Sequence, residues 1–222
     1  MIPPGQPLRI VGDVHGDSKA FAAAAATGRF IVQLGDLVDD GPDTPGALNI
    51  MFRLIDQGRG LFLLGNHDFK LARALRGDKV TAGPGLQRTL AELTPALAAR
   101  ALTEISAAPA WISHGDNLFV HGGFHPAMRD VDPPGLPAGR PDALLARALY
   151  GQTTGRVTAA GKPERLLTWV ETIPATVTVY CGHDKRSPDG RPYIRTNPAG
   201  GKAVFMDTGA GKGGHLSWVD IG

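Results

Sequence analysis

The chain has 222 residues, with 23 Lys plus Arg against 21 Asp plus Glu, a formal charge of +2. A length of this order suits one domain with its own core, and so mild a charge gives no bulk signal for stable nucleic-acid binding. The single cysteine, Cys181, excludes an internal disulfide and a cysteine-based zinc site. Residues 1–10 carry no signal-type apolar run and no stretch approaches bilayer length, so a cytoplasmic setting without membrane insertion is expected.

Leu8–Val11 reads as a short buried strand that runs into Gly12-Asp13-Val14-His15-Gly16. Ser18 is placed to cap a helix through the alanine run to Ala26. Residues 30–34 predict a second strand, followed by Gly35-Asp36. Asp43 would cap a helix that carries Leu48, Met51, Phe52 and Ile55 on one face. Residues 61–64 predict a third strand, ahead of Gly65-Asn66-His67-Asp68. Helices are expected over 69–107, with breaks near 77–85 and at Pro95. Asn117–Val120 predicts a strand into His121-Gly122-Gly123. Residues 133–141 read as a loop, and Asp142 as the start of a short helix to Tyr150. Residues 176–180 predict a strand ahead of Gly182-His183. Residues 193–194, 203–206 and 216–219 read as strands joined by glycine-rich turns, with 209–214 as a hairpin turn. Strand–helix alternation first and strands last predict one α/β domain over 1–222 with an antiparallel portion.

The polar residues fall at the ends of the short apolar strands. Side chains at the carboxyl ends of neighbouring strands converge on one rim, where open α/β sheets bind ligands. The convergent set is Asp13, His15, Asp36, Asn66, His67, His121 and His183. Carboxylate, imidazole and amide donors without thiolates suit Mn, Fe, Zn, Co or Mg, with Mn preferred, and their number exceeds one tetrahedral site. Two divalent ions about 3.5–4 Å apart would hold a hydroxide and clamp a phosphoryl oxygen. Asp36 is the candidate bridge between them. A histidine outside the ligand set would protonate the leaving oxygen, its tautomer fixed by a neighbouring carboxylate.

These five segments in this order resemble the signature of the calcineurin-like metallophosphoesterases, and within them the phosphoprotein phosphatase branch. That branch includes bacterial serine/threonine phosphatases and diadenosine tetraphosphatases. Ala148-Leu149-Tyr150-Gly151-Gln152-Thr153-Thr154-Gly155, Gly161-Lys162-Pro163-Glu164-Arg165-Leu166 with Trp169, and Asp207-Thr208-Gly209 with Gly213-Gly214-His215-Leu216 are similar to the phosphatase domain of bacterial polynucleotide kinase–phosphatases. The resemblance implies a β-sandwich of mixed sheets flanked by helices, with a di-metal site at strand carboxyl ends. It further implies Asp13, His15 and Asp36 on a first ion, and Asp36, Asn66, His121 and His183 on a second. His67 would be the general acid, oriented by Asp39, and Asp207 would join the rim.

One position departs from the family pattern. Asp-Arg-Gly commonly follows the second motif, its arginine gripping the substrate phosphate, whereas this chain reads Asp39-Asp40-Gly41. An acid there repels a phosphate dianion, unless it points away or a cation compensates. Arg165 is the first candidate for that cation. Lys162, Lys185, Arg186 and Lys212 are weaker ones. The expected activity is hydrolysis of phosphomonoesters, on protein phosphoserine or phosphothreonine or on RNA and nucleotide phosphate ends. Dinucleoside polyphosphate or cyclic-nucleotide hydrolysis is the alternative. A metal-dependent nuclease shares the ligand set, and a degraded scaffold that binds a phosphorylated partner is the non-enzymatic reading.

Overall fold

The computed structural model describes residues 1–222 apart from Ala138, Ala160 and Lys162. Strands β1 (Leu8–Val11), β2 (Phe30–Gln33) and β3 (Gly60–Phe62) pair in parallel, and β11 (Trp218–Ile221) closes their sheet by running antiparallel to β1. The second sheet has the order β4 (Trp111–His114), β5 (Asn117–Val120), β8 (Thr178–Cys181), β10 (Lys202–Phe205), β9 (Tyr193–Thr196). Its three central strands are parallel and both edges antiparallel. The two sheets stack face to face. Ile10, Phe30 and Val32 from the first meet Phe119, Tyr180 and Val204 from the second in one buried cluster. Because side chains alternate along a strand, Val11 and Ile31 point the other way, into a larger core with Phe21, Leu48, Met51 and Phe52. Both faces of β1 and β2 thus carry core residues, as parallel strands covered on both sides require, with Arg9 and Gln33 as the polar exceptions on the outer face.

Local chemistry sets the helices. Asp17, rather than Ser18, caps α1 (Ser18–Ala25), accepting from the Ala20 amide at 3.0 Å. Ser18 instead donates to the Asp43 carboxylate at 2.6 Å, tying the two caps together. Asp43 caps α2 (Thr44–Asp56) through the Gly46 amide at 2.9 Å. Leu48, Met51 and Phe52 then bury one face of α2, each worth about 1.5–3 kcal/mol. Helix α3 (Asn66–Leu75) starts inside the third motif. After it come α4 (Pro84–Glu92) and α5 (Pro95–Ala107), both opened by proline, which fits the first turn because its missing N–H is unused there.

Other expectations need correction. The segment 111–114, where the sequence pattern predicts no strand, forms the edge strand β4, which ends at His114. The segment 151–163, for which no strand is predicted, contains β6 (Gln152–Val157), which pairs with β7 (Pro163–Leu166) as a separate hairpin after α6 (Ala143–Tyr150). The run 209–214 is not a hairpin turn. It carries the chain from β10 in one sheet to β11 in the other, and so passes over the strand ends. Among the described residues no helix is long and apolar enough to cross a membrane.

Candidate active site

The strand ends converge as the motifs predict. His15, Asp36, Asp39, Asp40 and His183 are the non-glycine residues with positive φ among those described, at 46°, 57°, 71°, 59° and 61°. Side chains rarely adopt this region, and each instance costs about 1 kcal/mol or more. All five lie in the motif turns, so the strain goes into aiming short polar side chains at one point. Close approach does the rest. A Cβ on Gly65 would sit 2.1 Å from the Asp36 nitrogen, so only glycine lets the third turn touch the second.

Asp36 is the hub. One of its carboxylate oxygens lies 3.7 Å from His15 Nε2, 3.4 Å from His121 Nε2 and 4.0 Å from His67 Nε2. The other accepts from the His67 amide at 2.9 Å. Asp13 is buried, accepts from the His183 amide at 3.1 and 3.0 Å, and lies 3.9 Å from His15 Nε2. Burial, with Asp207 next, pushes the Asp13 carboxyl well above its ordinary value. Burial acts the same way on Asp36, but His121 and His67 outweigh it and hold that carboxyl well below. Buried Asp207 accepts from the Gly209 amide at 2.9 Å.

Among the described residues, three groups of donors lie close enough to hold an ion: His15, Asp40 and His67, and two that share Asp36, namely Asp13, His15 and Asp36, and Asp36, His121 and His183. Two buried nitrogens show what belongs between them. His183 Nε2 has no hydrogen-bond partner, and burial, reinforced by His121, keeps that ring neutral. His121 Nδ1 lies 2.9 Å from the Leu34 carbonyl oxygen and must donate to it. Its Nε2 then faces two oxygens, Asn66 Oδ1 at 3.1 Å and Asp36 at 3.4 Å. A second ring proton or a bound cation answers them. Burial opposes protonation, but Asp36 and Asp13 outweigh it and push His121 up to about 9. The donor set fits two divalent ions.

Beside this cluster, His67 Nδ1 pairs with Asp39 at 2.8 Å, leaving Nε2 toward Asp36. Burial pulls the His67 pKa down, but Asp36 and Asp39 outweigh it and push it up to about 9. Thr89, which no motif pointed to, donates to the other Asp39 oxygen at 2.7 Å from α4. Asp68 also supports the site. It is fully buried and accepts from the amides of Asp36 at 2.7 Å, Leu37 at 3.0 Å and Gly65 at 3.2 Å. Burial and the Asp36 charge push its carboxyl up to about 7.

Asp40 does not point away. It lies 3.7 Å from His15 Nδ1, and the cation on it is Lys212, at 3.1 Å, rather than Arg165. Burial opposes, but the hydrogen bond from Lys212 holds the Asp40 carboxyl below its ordinary value. Arg165, on β7, donates to the Tyr150 carbonyl at 2.8 Å and has its Nε 3.9 Å from Asp184. Arg186 pairs with Asp184 at 2.7 Å, and the Lys185 side chain lies over Gly209. Lys162 lies outside the described residues. His125 caps the 3-10 turn at Pro126–Arg129 and His215 contacts the Gly190 carbonyl, so neither joins the donor cluster. A cavity of about 880 Å³ is lined by Phe62, Trp111, Ile112 and Met128, and none of the rim residues borders it.

The profile of the calcineurin-like phosphoesterase family matches residues 7–187. The chain belongs to the calcineurin-like phosphoesterases. This metallophosphoesterase is a hydrolase of a family that works with divalent metal ions. It is 29% identical over 230 residues to bis(5'-nucleosyl)-tetraphosphatase PrpE [asymmetrical] of Halalkalibacterium halodurans, covering 94% of this chain and 87% of that protein. It is 27% identical to the protein of the same name from Geobacillus thermodenitrificans, covering 95% and 88%. Among solved structures it resembles a protein provisionally described as a diadenosine tetraphosphatase, with a TM-score of 0.66, 21% identity and 100% and 91% coverage. It also resembles a serine/threonine phosphatase from Saccharomyces cerevisiae, with a TM-score of 0.59, 12% identity and 94% and 70% coverage. These structural likenesses concern the fold alone.

Proposed function

We propose that this phosphoesterase hydrolyses nucleoside polyphosphates, with a P1,P4-dinucleoside tetraphosphate as the leading substrate, cut asymmetrically to a nucleoside monophosphate and a triphosphate. The observation that carries the chemistry is the sharing of Asp36 by two donor groups beside a carboxylate-paired histidine. Sequence reasoning placed phosphomonoester ends of proteins and nucleic acids first. The near full-length likeness to tetraphosphatases moves the dinucleotide ahead of them. A polyphosphate carries several negative charges, and Lys212, Arg165 and Arg186 supply cationic groups around the rim.

In this reading Asp13, His15 and Asp36 hold one divalent ion, and Asp36, Asn66, His121 and His183 the other, Mn²⁺ being preferred for mixed oxygen and nitrogen donors. When bound, the ions supply Lewis acidity at the phosphoryl oxygen and a nucleophile active at neutral pH. The chain's own groups do the rest. Asp39 accepts the Nδ1 proton of His67 and fixes its tautomer, so that Nε2 carries the mobile proton. That nitrogen faces the cluster beside Asp36 and can pass its proton to the departing phosphate oxygen. Thr89 holds Asp39, and Asp68 holds the turn that presents Asp36.

The test is a substrate panel with Mn²⁺, comparing diadenosine tetraphosphate, p-nitrophenyl phosphate, a phosphothreonine peptide, 3'-phosphorylated RNA and a 2',3'-cyclic nucleotide. The expected result is the highest kcat/KM on the dinucleotide, with AMP and ATP as products. A higher value on the peptide or the RNA end would overturn the substrate reading.

A further inference from the structure

We propose that Lys212 is the phosphate-binding cation of this site, and that in the ion-free protein it holds the His15 lone pair that a divalent ion takes. The inference rests on the reading that Asp13, His15 and Asp36 hold such an ion.

The ring of His15 has only one way to be protonated here. Its Nδ1 lies 3.1 Å from the Val38 carbonyl oxygen, which can only accept, so Nδ1 carries the proton and Nε2 is a bare lone pair. Lys212 Nζ lies 2.8 Å from that Nε2 and donates to it. The lone pair is the one His15 must offer to a metal, because Nε2 is the nitrogen facing Asp13 and Asp36, at 3.9 and 3.7 Å. One lone pair serves one cation at a time, so Lys212 and an incoming ion compete for it.

The placement of Lys212 is built in. Gly211 has φ +69°, and a Cβ there would lie 2.4 Å from the His15 carbonyl oxygen and 2.7 Å from His15 Cβ. The 209–214 loop therefore rests its backbone directly on the His15 turn. It is closed by the Lys212 and Gly214 amides, which donate to the Gly209 carbonyl at 3.1 and 2.9 Å. Asp40 holds the ammonium from the other side at 3.1 Å. Of the three ammonium protons two are used, by His15 and Asp40, and the side chain is 44% exposed. Once the His15 lone pair is taken, Lys212 keeps its tether to Asp40 and has protons to spare for a phosphoryl oxygen. The acid at position 40 thus acts as a positioning residue for a cation drawn from 172 positions further along the chain. Arg165 is less free, since the Tyr150 carbonyl already holds its guanidinium.

The test compares the wild type with Lys212→Met, which keeps the stem and removes the charge, and Lys212→Arg, which keeps the charge. Calorimetry with Mn²⁺ alone reads ion binding, inorganic phosphate titrated into the Mn²⁺-loaded proteins reads the phosphate site, and thermal melting confirms folding. Lys212→Met is expected to bind its first Mn²⁺ about threefold to tenfold tighter, as a competing occupant is removed. It should bind phosphate at least about tenfold more weakly, the cost of one charge-assisted hydrogen bond. Lys212→Arg should restore phosphate binding. If the wild type loads two ions but Lys212→Met shows unchanged or weaker Mn²⁺ affinity, or unchanged phosphate affinity, the proposal for Lys212 is overturned alone. If the wild type takes up no Mn²⁺, the two-ion reading falls with it.

Discussion

The two sheets contribute unlike halves to the rim. The first sheet supplies Asp13, His15, Asp36, Asp39 and Asp40 from within one stretch of chain, four of the five being acids, with Asn66 and His67 following at the start of α3. Four of the five left-handed non-glycine residues lie in this half. The second sheet supplies His121 and His183, neutral donors when they hold a metal, with one acid, Asp207, after β10, and meets the first over long separations, as where the His183 amide bonds Asp13 across 170 positions. The anionic half attracts cations, and the imidazole half adds donors without cancelling their charge. Asp36 belongs to the first half by sequence but lies 3.4 Å from a histidine of the second.

Substitutions break this comparison at different depths. Asp36→Asn should disable both halves together, lowering kcat/KM about a thousandfold and reducing bound Mn²⁺ below two per chain. Two ions retained by that variant would show that the halves do not share this residue. His67→Ala leaves both groups intact and should lower kcat about a hundredfold with little change in KM. A change confined to KM would make His67 a binding group instead. His183→Ala cuts only the second half. Calorimetry should show one tight ion instead of two, and turnover should fall by about 10–100-fold. Thr89→Val tests the support furthest from the ions. It strips the hydroxyl behind Asp39 and should cost about 1 kcal/mol in denaturant titration, with a small fall in kcat.

Most of the first half was legible in the sequence, because Gly-Asp and Gly-Asn-His after a short apolar run state both the turn and the donor it presents. Asp43 and Asp142 were likewise readable as helix caps. Ser18 was misread by one position, because Asp17 offers the same acceptor chemistry. The supports were hidden for a different reason. Thr89 sits mid-helix with no local feature to mark it, and reaches Asp39 only because α4 packs behind the second motif. The hairpin β6–β7 has an irregular register between Thr153 and Val157, and its exposed residues give no alternating pattern. The loop at 209–214 looked like a hairpin turn because its glycines fit one. Its real path depends on β11 joining the other sheet, which local composition does not record.

The left-handed turns carry a lesson for laboratory evolution. Asp39 and Asp40 hold φ values of 71° and 59°, where glycine would rest without strain. A selection for heat resistance alone would reward glycine at Asp40, where the strain outweighs a partly exposed ion pair, but not at Asp39, whose buried bonds to His67 and Thr89 a glycine would forfeit. The survivors would be sturdier proteins that had lost the tether for Lys212. Selection on turnover would keep this acid in place, so the two regimes should part company at residue 40 before they differ anywhere in the core.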